Sequence, residues 1–389
     1  MTEAPVSDID LFSDEARLDP YPHYAELRRL GSVVHLQKYD VYAVPRYAEV
    51  RDVLGDWQLY SSAQGATMNE DINQDLKGLM LFSDPPEHTA TRKIFGRPLR
   101  PERMRALEPR IAAEAERVVG SLVSRGEFDA ATELAEHLPM TVVSELVGLG
   151  EHGRSQMLRW ARATWEAQGV PNDRVAAAGP VVDEFLGFAM DEGLPGKLDP
   201  DGWAAELFAA ADRGEVPRGK CPFMMVDYVT PSLDTTISAV SSAVRLFADN
   251  PAQWDLLRDN LDLVPHAINE VLRLESPVQQ FTRVATASHT LAGCDVPAGS
   301  RLLVLYGSAN RDEGKYPDPD RFDITRKPSD QLAFGHGVHA CVGLPVARLE
   351  MTALLNALLS RVERFEVTDA SPLLSNVLKG WSSLKVRVR

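Results

Sequence analysis

The chain has 389 residues, and its 41 basic and 56 acidic side chains give a formal charge of −15 at pH 7. Apolar residues make up 44% and charged residues 25% of the sequence, which is the balance of an ordinary globular protein. These proportions exclude a disordered chain, a collagen and a small disulfide scaffold. The acidic balance also argues against nucleic acid or an anionic membrane surface as a general partner.

The N-terminal segment, residues 1–19, carries four acidic side chains between positions 8 and 15 and no long apolar run. We therefore expect neither a signal peptide nor a membrane anchor, and we expect a cytoplasmic location. The three cysteines, an odd number, argue against a disulfide framework. No repeat or linker divides the chain, so we predict a single domain over residues 1–389.

Most of the predicted secondary structure is helical. Near the N-terminus, short alternating runs predict a β-hairpin from residues 33–36 and 41–44. Apolar positions recurring at three and four residues then predict helices at 104–123, 138–149, 157–167 and 176–188. The C-terminal half adds a helix that begins at residue 265 and ends before the Ser276-Pro277 step, a strand-like run around residue 283, a strand at 301–306 and a helix at 346–364.

The most unusual predicted element is a long apolar helix in the middle of the chain, from Pro222 to about Asn250. At 1.5 Å per residue it would span roughly 40 Å and cross the core. Pro231 lies near its centre, where it removes a backbone donor and clashes with the carbonyl of Asp227. We therefore expect a kink in this helix.

The most informative segment for chemistry is residues 334–343, which read FGHGVHACVG. Gly335 and Gly337 allow a tight loop that brings backbone N–H groups close to the sulfur of Cys341. The helix that follows directs its positive end at the same atom, and both effects favour a thiolate. The residues alone leave two alternatives open, namely an inert buried cysteine and a zinc site built from His336, His339 and Cys341, although no fourth ligand is evident.

This segment resembles the haem-binding loop of the cytochrome P-450 monooxygenases, Phe-Gly-x-Gly-x-His-x-Cys-x-Gly. The pattern is met without departure at Phe334, Gly335, Gly337, His339, Cys341 and Gly343. The resemblance implies a haem b cofactor with Cys341 as the axial ligand of its iron, a ligand whose electron donation favours O–O cleavage. It further implies a mainly α fold with small β-sheets, in which a long central helix lies over the haem and the cysteine loop lies beneath it.

Other marks of the family occur in order from residue 19 to the C-terminal helix. The resemblance assigns the haem propionates to four basic residues, because cations and donors stabilise buried carboxylates: His88, Arg92, Arg283 and His339. Glu270 and Arg273 match the Glu-x-x-Arg pair that holds the scaffold on the haem side together with an arginine further on. On their own, two such charges three residues apart on a helix would more often be a solvated face.

Asp234 and Thr235 match the acid–alcohol pair with which the family relays protons during oxygen activation. The alternative is a threonine that bonds back to its own helix. The sequence departs from the family pattern just before this pair, where Pro231 and Ser232 replace small residues. We expect the proline to enforce the kink that small residues permit, and the serine to add bulk to the oxygen-binding groove.

The chain has no flavin, nicotinamide or ferredoxin fingerprint, so the resemblance implies a separate electron donor. We expect an iron–sulfur ferredoxin, or a similar protein, with an NAD(P)H-dependent reductase. A basic island opposed only by Glu102 is the predicted docking site for an acidic ferredoxin: Arg92, Lys93, Arg97, Arg100, Arg103 and Arg105. A solvated helix face is the alternative.

Three segments, residues 275–279, 307–312 and 322–327, resemble bacterial members that oxidise para-substituted benzoates and methoxyaromatics. By position in the family, the walls of the substrate pocket would be Gln64, Leu79, Leu81, Trp165, Gln168, Asp227, Thr230, Phe281 and Thr282. Apolar and aromatic walls suit a small flat ring. Aromatic-acid oxidisers place an arginine near the position of Gln64, so its absence and the presence of Asp227 favour a methoxyphenol over a methoxybenzoate.

The predicted reaction is O2-dependent hydroxylation or O-demethylation of a small aromatic substrate, as part of aromatic catabolism. Two alternatives stay open. One is a biosynthetic tailoring oxidase that acts on a larger or carrier-bound substrate, and the other is a haem-thiolate sensor without turnover. A peroxide-driven enzyme would be expected to lack the acid–alcohol pair.

Overall fold

Seventeen α-helices and eleven β-strands form the fold in the computed structural model, which describes residues 3–389. The first two residues of the predicted N-terminal segment and of the predicted domain lie outside this range. The helices are α1 (Asp14–Leu18), α2 (Tyr21–Leu30), α3 (Tyr47–Gly55), α4 (Glu70–Asp75), α5 (Glu87–Phe95), α6 (Pro101–Arg125), α7 (Ser144–Val147), α8 (Gly150–Ala167), α9 (Asp173–Asp191), α10 (Trp203–Asp212), α11 (Cys221–Met224), α12 (Val226–Val229), α13 (Asp234–Asp249), α14 (Pro251–Asp259), α15 (Val264–Glu275), α16 (Tyr306–Ala309) and α17 (Leu344–Leu359).

The strands form three small sheets. In chain order they are β1 (Val6–Ser7), β2 (Val34–Leu36), β3 (Val41–Val44), β4 (Tyr60–Ser61), β5 (Glu127–Asp129), β6 (Gln280–Ala285), β7 (His289–Leu291), β8 (Cys294–Val296), β9 (Arg301–Leu305), β10 (Phe365–Pro372) and β11 (Trp381–Val388). The largest sheet has the order β1-β2-β3-β9-β6-β4, and the others are β10-β11-β5 and β7-β8. The predicted hairpin is confirmed, since β2 and β3 pair antiparallel.

Several predicted helices are found with extended ends, among them α6, α8 and α9. The helix predicted at 138–149 is present over residues 139–147, but only its last four residues are α-helical. A π-helical turn, Pro139–Val143, leads into the short α7, and the chain leaves the helix at Gly148, whose φ of 80° lies in the left-handed region. The last helix, α17, ends five residues before the predicted boundary.

The central helix is divided rather than merely kinked. α11 and α12 cover its first part, residues 230–233 are not helical, and α13 begins at Asp234. Pro231 has no N–H to donate to the carbonyl of Asp227, which accounts for the break at this place. The Ser232 hydroxyl donates to the carbonyl of Tyr228, so a side chain takes the role of a backbone donor.

The main core lies where α6, α8, α13, α15 and α17 pack together. Its largest fully buried side chains include Trp160, Phe185, Phe247 and Trp254. None of the helices within residues 3–389 is long and apolar enough to cross a membrane. The site described next lies between these packed helices.

Candidate active site

The loop that carries Cys341 is held by its own backbone. The N–H of Cys341 donates to the carbonyl of Phe334 at 2.8 Å, and both Gly335 and Gly337 have φ of 71°, a value that disfavours other residues. At Gly337 a side chain would also collide with the carbonyl of Leu54 on α3. The glycines are therefore required by the conformation of this loop.

Cys341 lies at the floor of a cavity, just before the N-terminal end of α17; its side chain is open to the cavity and is enclosed by the protein around it. Burial raises the pKa of the Cys341 thiol, while the backbone N–H groups of Gly343 and Leu344 and the charge of Arg92 oppose this shift only in part. The predicted donors are thus present, but the loop alone does not produce a low thiol pKa. A metal cation bound to the sulfur would deprotonate it outright.

The cavity runs from Cys341 to the broken part of the central helix. All eight residues predicted to bind the cofactor border it: His88, Arg92, Arg283, Phe334, Gly335, His339, Cys341 and Gly343. They come from α5, β6 and the cysteine loop, which are far apart in sequence. The fold therefore brings the predicted haem-binding residues together.

The four predicted propionate partners form a cluster of basic residues that, within residues 3–389, makes no ion pair with a carboxylate. The rings of His88 and His339 lie 4.2 Å apart between centroids, and both nitrogens of His88 and Nε2 of His339 are buried without a hydrogen-bond partner. Within residues 3–389, neither Arg92 nor Arg283 makes an ion pair. Burial and the nearby guanidinium groups lower the pKa of His88 to about 4 and that of His339 to about 2. Such a set of donors fits two buried carboxylates.

The zinc alternative finds no support in this geometry. In the part of the chain that the structure describes, no group of three His, Cys, Asp or Glu side chains is placed to hold a metal ion. The ring of His336 lies against Gly55 of α3, whereas His339 lies against His88. The two histidines of the loop therefore serve different neighbours.

The predicted acid–alcohol pair lies at the break in the central helix. Thr235 borders the cavity, and its hydroxyl donates to the carbonyl of Pro231 at 2.9 Å, which leaves the oxygen free to accept. Asp234 is buried behind it, where Oδ1 accepts from Nε of Arg162 at 3.1 Å and Oδ2 has no partner. Burial raises the pKa of Asp234 to about 6, and Arg162 acts in the opposite direction.

Arg162 links this carboxyl to the surface, a connection that sequence reasoning missed. Its side chain is half exposed, and Nη2 donates to Glu136 at 2.6 Å. Arg162 lies 72 residues from Asp234 in sequence, and no local pattern signals the pairing. The arrangement places a carboxyl of elevated pKa between a cavity-lining hydroxyl and a solvent-exposed ion pair.

Glu270 and Arg273 form the predicted structural pair, and both are completely buried in α15. Arg273 donates through Nε and Nη2 to the two carboxylate oxygens at 2.7 and 2.8 Å, and through Nη1 to the carbonyls of Asn310 and Pro319. Arg326 approaches the same carboxylate at 3.3 Å and is the further arginine expected from the family. The cluster ties α15 to the loop that precedes the cysteine segment.

Of the nine predicted pocket residues, six border the cavity: Leu81, Trp165, Gln168, Asp227, Thr230 and Phe281. The other three do not. Gln64 is exposed to solvent, and Leu79 is buried in the core. Thr282 lies on β6, where side chains alternate, so Phe281 and Arg283 face the cavity while the Thr282 hydroxyl donates to the carbonyls of Gly65 and Thr67. The position of Gln64 therefore carries no argument about the substrate.

The predicted basic island is smaller than expected. Arg92 borders the cavity, and Arg97 is paired with Glu206 at 2.8 Å and Glu215 at 2.6 Å. These two residues do not present free charge to a partner, because their charges are directed inward or neutralised by carboxylates on and after α10. The exposed members are Lys93, Arg100, Arg103 and Arg105.

Comparison with known proteins agrees with this geometry. A family model described as cytochrome P-450 matches residues 233–380. Cytochrome P-450 CYP199A2 of Rhodopseudomonas palustris is 37% identical over 388 residues, covering 98% of this chain and 93% of the relative. The chain belongs to the cytochrome P-450 family. It is a haem-dependent monooxygenase, and members of the family bind haem b through a cysteine thiolate.

Further relatives share the whole fold. The β-dihydromenaquinone-9 ω-hydroxylase of Mycobacterium tuberculosis is 31% identical over 395 residues, covering 98% of this chain and 79% of the relative. The solved structure of cytochrome P-450 CYP109Q5 from Chondromyces apiculatus is 30% identical, with a TM-score of 0.84 and 98% coverage of both chains. The structure of CalO2 is 28% identical with a TM-score of 0.85 and the same coverage. The expected fold class, mainly α with small β-sheets, is confirmed.

The residues present fit a haem. Cys341 lies at the floor of the cavity, and the unpartnered imidazoles of His88 and His339 stand beside Arg92 and Arg283 at its edge. The sulfur would hold the iron, and the cluster of basic residues would hold the propionates. The cavity therefore offers donors for both ends of the cofactor.

Proposed function

We propose that this cytochrome P-450 oxidises a small, neutral aromatic ether of the methoxyphenol type. Oxidation at the methyl carbon of the ether gives a hemiacetal that loses formaldehyde, so the net reaction is O-demethylation. The observation that carries the proposal is the distribution of charge around the cavity: its lining, within residues 3–389, has arginines at the haem edge and no Lys or Arg elsewhere.

The basic residues that border the cavity, within the described residues, are His88, Arg92, Arg283 and His339, and at neutral pH only the two arginines are charged. All four belong to the cluster that suits the haem propionates. A substrate carboxylate bound in the rest of the cavity would lose its hydration without meeting a Lys or Arg of the described lining. Burying a carboxylate without a partner is costly. This supports a neutral substrate over a benzoate.

Asp227 strengthens the same conclusion. It borders the cavity, and Oδ2 accepts a hydrogen bond from the backbone N–H of Met80 at 3.0 Å. Burial raises the pKa of Asp227 to about 7, so the carboxyl is partly ionised near neutral pH. An anionic substrate would be repelled by the ionised form and would disfavour ionisation.

The remaining walls favour a flat apolar ring. Trp165 and Phe281 lie with their rings nearly parallel, 29° between planes and 6.2 Å between centroids, and Leu81 and Val278 border the same space. Aromatic and aliphatic walls of this kind bury a substrate ring and exclude water. A benzene ring with one or two small substituents matches these walls.

The haem supplies the oxidising chemistry when it is bound, and the protein controls the protons around it. Thr235 presents a hydroxyl to the cavity, and Asp234 holds a carboxyl of elevated pKa behind it. Arg162 and Glu136 connect that carboxyl to the surface. We assign to Thr235 and Asp234 the transfer of protons to the closed site, while Arg162 stays protonated and positions the carboxyl of Asp234.

Electrons would come from a separate iron–sulfur ferredoxin and its NAD(P)H-dependent reductase. Arg100, Arg103 and Arg105 lie at the N-terminal end of α6 and are exposed. On a protein with a net charge of −15 they form a local positive surface that suits an acidic partner.

The test is a titration of the haem-loaded protein with a panel of ligands, followed by turnover with a ferredoxin, its reductase and NADPH. Methoxyphenols should shift the Soret band towards the high-spin form at lower concentration than the matching methoxybenzoates, and turnover should release formaldehyde. Tighter binding of the benzoates would refute the neutral-substrate proposal. Absence of a shift with both classes would refute the aromatic assignment itself.

A further inference from the structure

Two residues near the C-terminal end of α8 border the cavity and each carries a buried polar atom without a partner. Trp165 and Gln168 are three residues apart and therefore lie on one face of the chain. Their exposed fractions are only 4% and 5%, and both border the cavity. Nε1 of Trp165 and Oε1 of Gln168 have no hydrogen-bond partner. Buried polar atoms are rarely left unpaired, so these two atoms point to a ligand.

The hydrogen-bonding role of each group is fixed. An indole Nε1–H can only donate. The Gln168 amide is oriented by its Nε2, which donates to the carbonyl of Thr164 at 3.2 Å, so Oε1 remains as an acceptor. The Trp165 ring is held by its nearly parallel packing against Phe281, whose ring in turn meets Tyr306 edge-on. The chain thus carries one donor and one acceptor three residues apart at the wall of the cavity.

We propose that Trp165 and Gln168 recognise a hydroxyl group on the aromatic substrate. A phenolic hydroxyl accepts from Trp165 Nε1–H through its oxygen and donates its own proton to Gln168 Oε1, so one group satisfies both atoms. This inference rests on the proposed function and specifies which substituent the substrate must carry besides the ether.

Other substituents satisfy only part of the pair. An ether oxygen accepts from Trp165 and leaves Gln168 Oε1 buried and unpaired, and a methyl group leaves both atoms unpaired. A carboxylate also accepts from Trp165, but it places negative charge against Oε1. The hydroxyl of Thr230, buried and unpartnered on the same cavity, can act as donor or acceptor and so does not change this selection.

The test compares 4-methoxyphenol with 4-methylanisole, in which a methyl group of similar size replaces the hydroxyl. Dissociation constants come from Soret titrations of the haem-loaded wild type and of Trp165→Phe and Gln168→Met, with Trp57→Phe as a control outside the cavity. Wild type and W57F should bind the phenol about tenfold more tightly than the methyl compound. W165F and Q168M should reduce this ratio towards one while binding 4-methylanisole no more weakly than wild type does.

The outcomes separate the two claims. If both ligands shift the Soret band but the ratio is the same in wild type, W165F and Q168M, the hydroxyl-recognition pair is refuted and the proposed function stands. If neither ligand shifts the band in the wild type, the proposed function is refuted together with this inference. The reduced carbon monoxide spectrum of each variant shows that its haem site is intact, so a lost preference reports recognition and not unfolding.

Discussion

Replacing Glu270 by Gln should destabilise the protein severely, because it removes the carboxylate that, among residues 3–389, pairs with the fully buried Arg273. The carboxylate accepts from Arg273 twice, at 2.7 and 2.8 Å, from the backbone N–H of Asp323 at 3.1 Å and from Arg326 at 3.3 Å. The amide has the same shape but only one acceptor oxygen, and its NH2 group faces a donor. Arg273 then remains buried and charged without its partner.

Loss of one partner from a buried ion pair costs about 3–5 kcal/mol. A domain is stable by only about 5–15 kcal/mol, so this change removes a large part of the total. With a urea dependence of about 3 kcal/mol per molar, the unfolding midpoint should fall by about 1 M or more. Urea titration followed by far-UV circular dichroism and by the haem Soret band measures this shift.

Glu114 supplies a matched control. It binds Arg117 at the same i,i+3 spacing and through the same two guanidinium nitrogens, at 2.9 and 2.7 Å, but the pair lies at the surface. Exposed pairs contribute little because water solvates the separated charges. Glu114→Gln should therefore leave the midpoint nearly unchanged. Equal midpoints for E270Q and E114Q would refute the claim that burial makes the Glu270 pair structural.

Three further predictions concern electron supply, protons and pH. Arg103→Glu should slow ferredoxin-driven haem reduction roughly tenfold at low salt and much less at high salt. The control Arg29→Glu, at an exposed position on α2, should leave the rate unchanged. Equal rates for both variants in stopped-flow reduction would exclude docking at this surface. Thr235→Val should lower turnover roughly 10²-fold while substrate still shifts the Soret band. As a control, Ser241→Ala changes a buried hydroxyl one to two turns further along α13 and should keep wild-type turnover. Full activity of T235V would show that the hydroxyl takes no part in the relay. Burial raises the pKa of Asp227 from 3.8 to about 7, so the folded protein holds a proton that the unfolded chain releases. Wild-type stability should therefore fall as pH rises between about pH 4 and about pH 7. Asp227→Asn should show a shallower fall of the urea midpoint over the same range, and an identical slope would contradict the raised pKa.

Local sequence was sufficient for the elements whose structure depends on a few neighbouring residues. Glycines at 335 and 337 predict the cysteine loop because its φ values of 71° require them. The proline at 277 predicts the end of α15, and the proline at 231 predicts the disturbance of the central helix. The disturbance of the central helix is larger than the predicted kink, because residues 230–233 are not helical and the helix is divided into separate parts.

Long-range contacts set the limit of sequence reasoning. The pairing of Asp234 with Arg162 and the neutralisation of Arg97 by Glu206 and Glu215 join residues about 70 to 120 positions apart, and no spacing pattern encodes them. Gln64 is exposed and does not border the cavity, because a segment can approach a pocket while one of its side chains lies in solvent. The side-chain alternation of β6 was a signal against placing Thr282 in the pocket wall. Its neighbours Phe281 and Arg283 were both assigned to the site, and side chains at successive positions of a strand point to opposite faces.

The central claim is that the sulfur of Cys341 is the axial ligand of a haem iron, and the spectrum of the reduced protein with carbon monoxide tests it most directly. Wild-type protein should give the far-red-shifted Soret band of a thiolate-ligated carbonyl complex, and Cys341→Ala should lose that band even when haem is retained. A wild-type protein that binds no haem after supplementation, or a C341A variant that keeps the red-shifted band, would contradict the account.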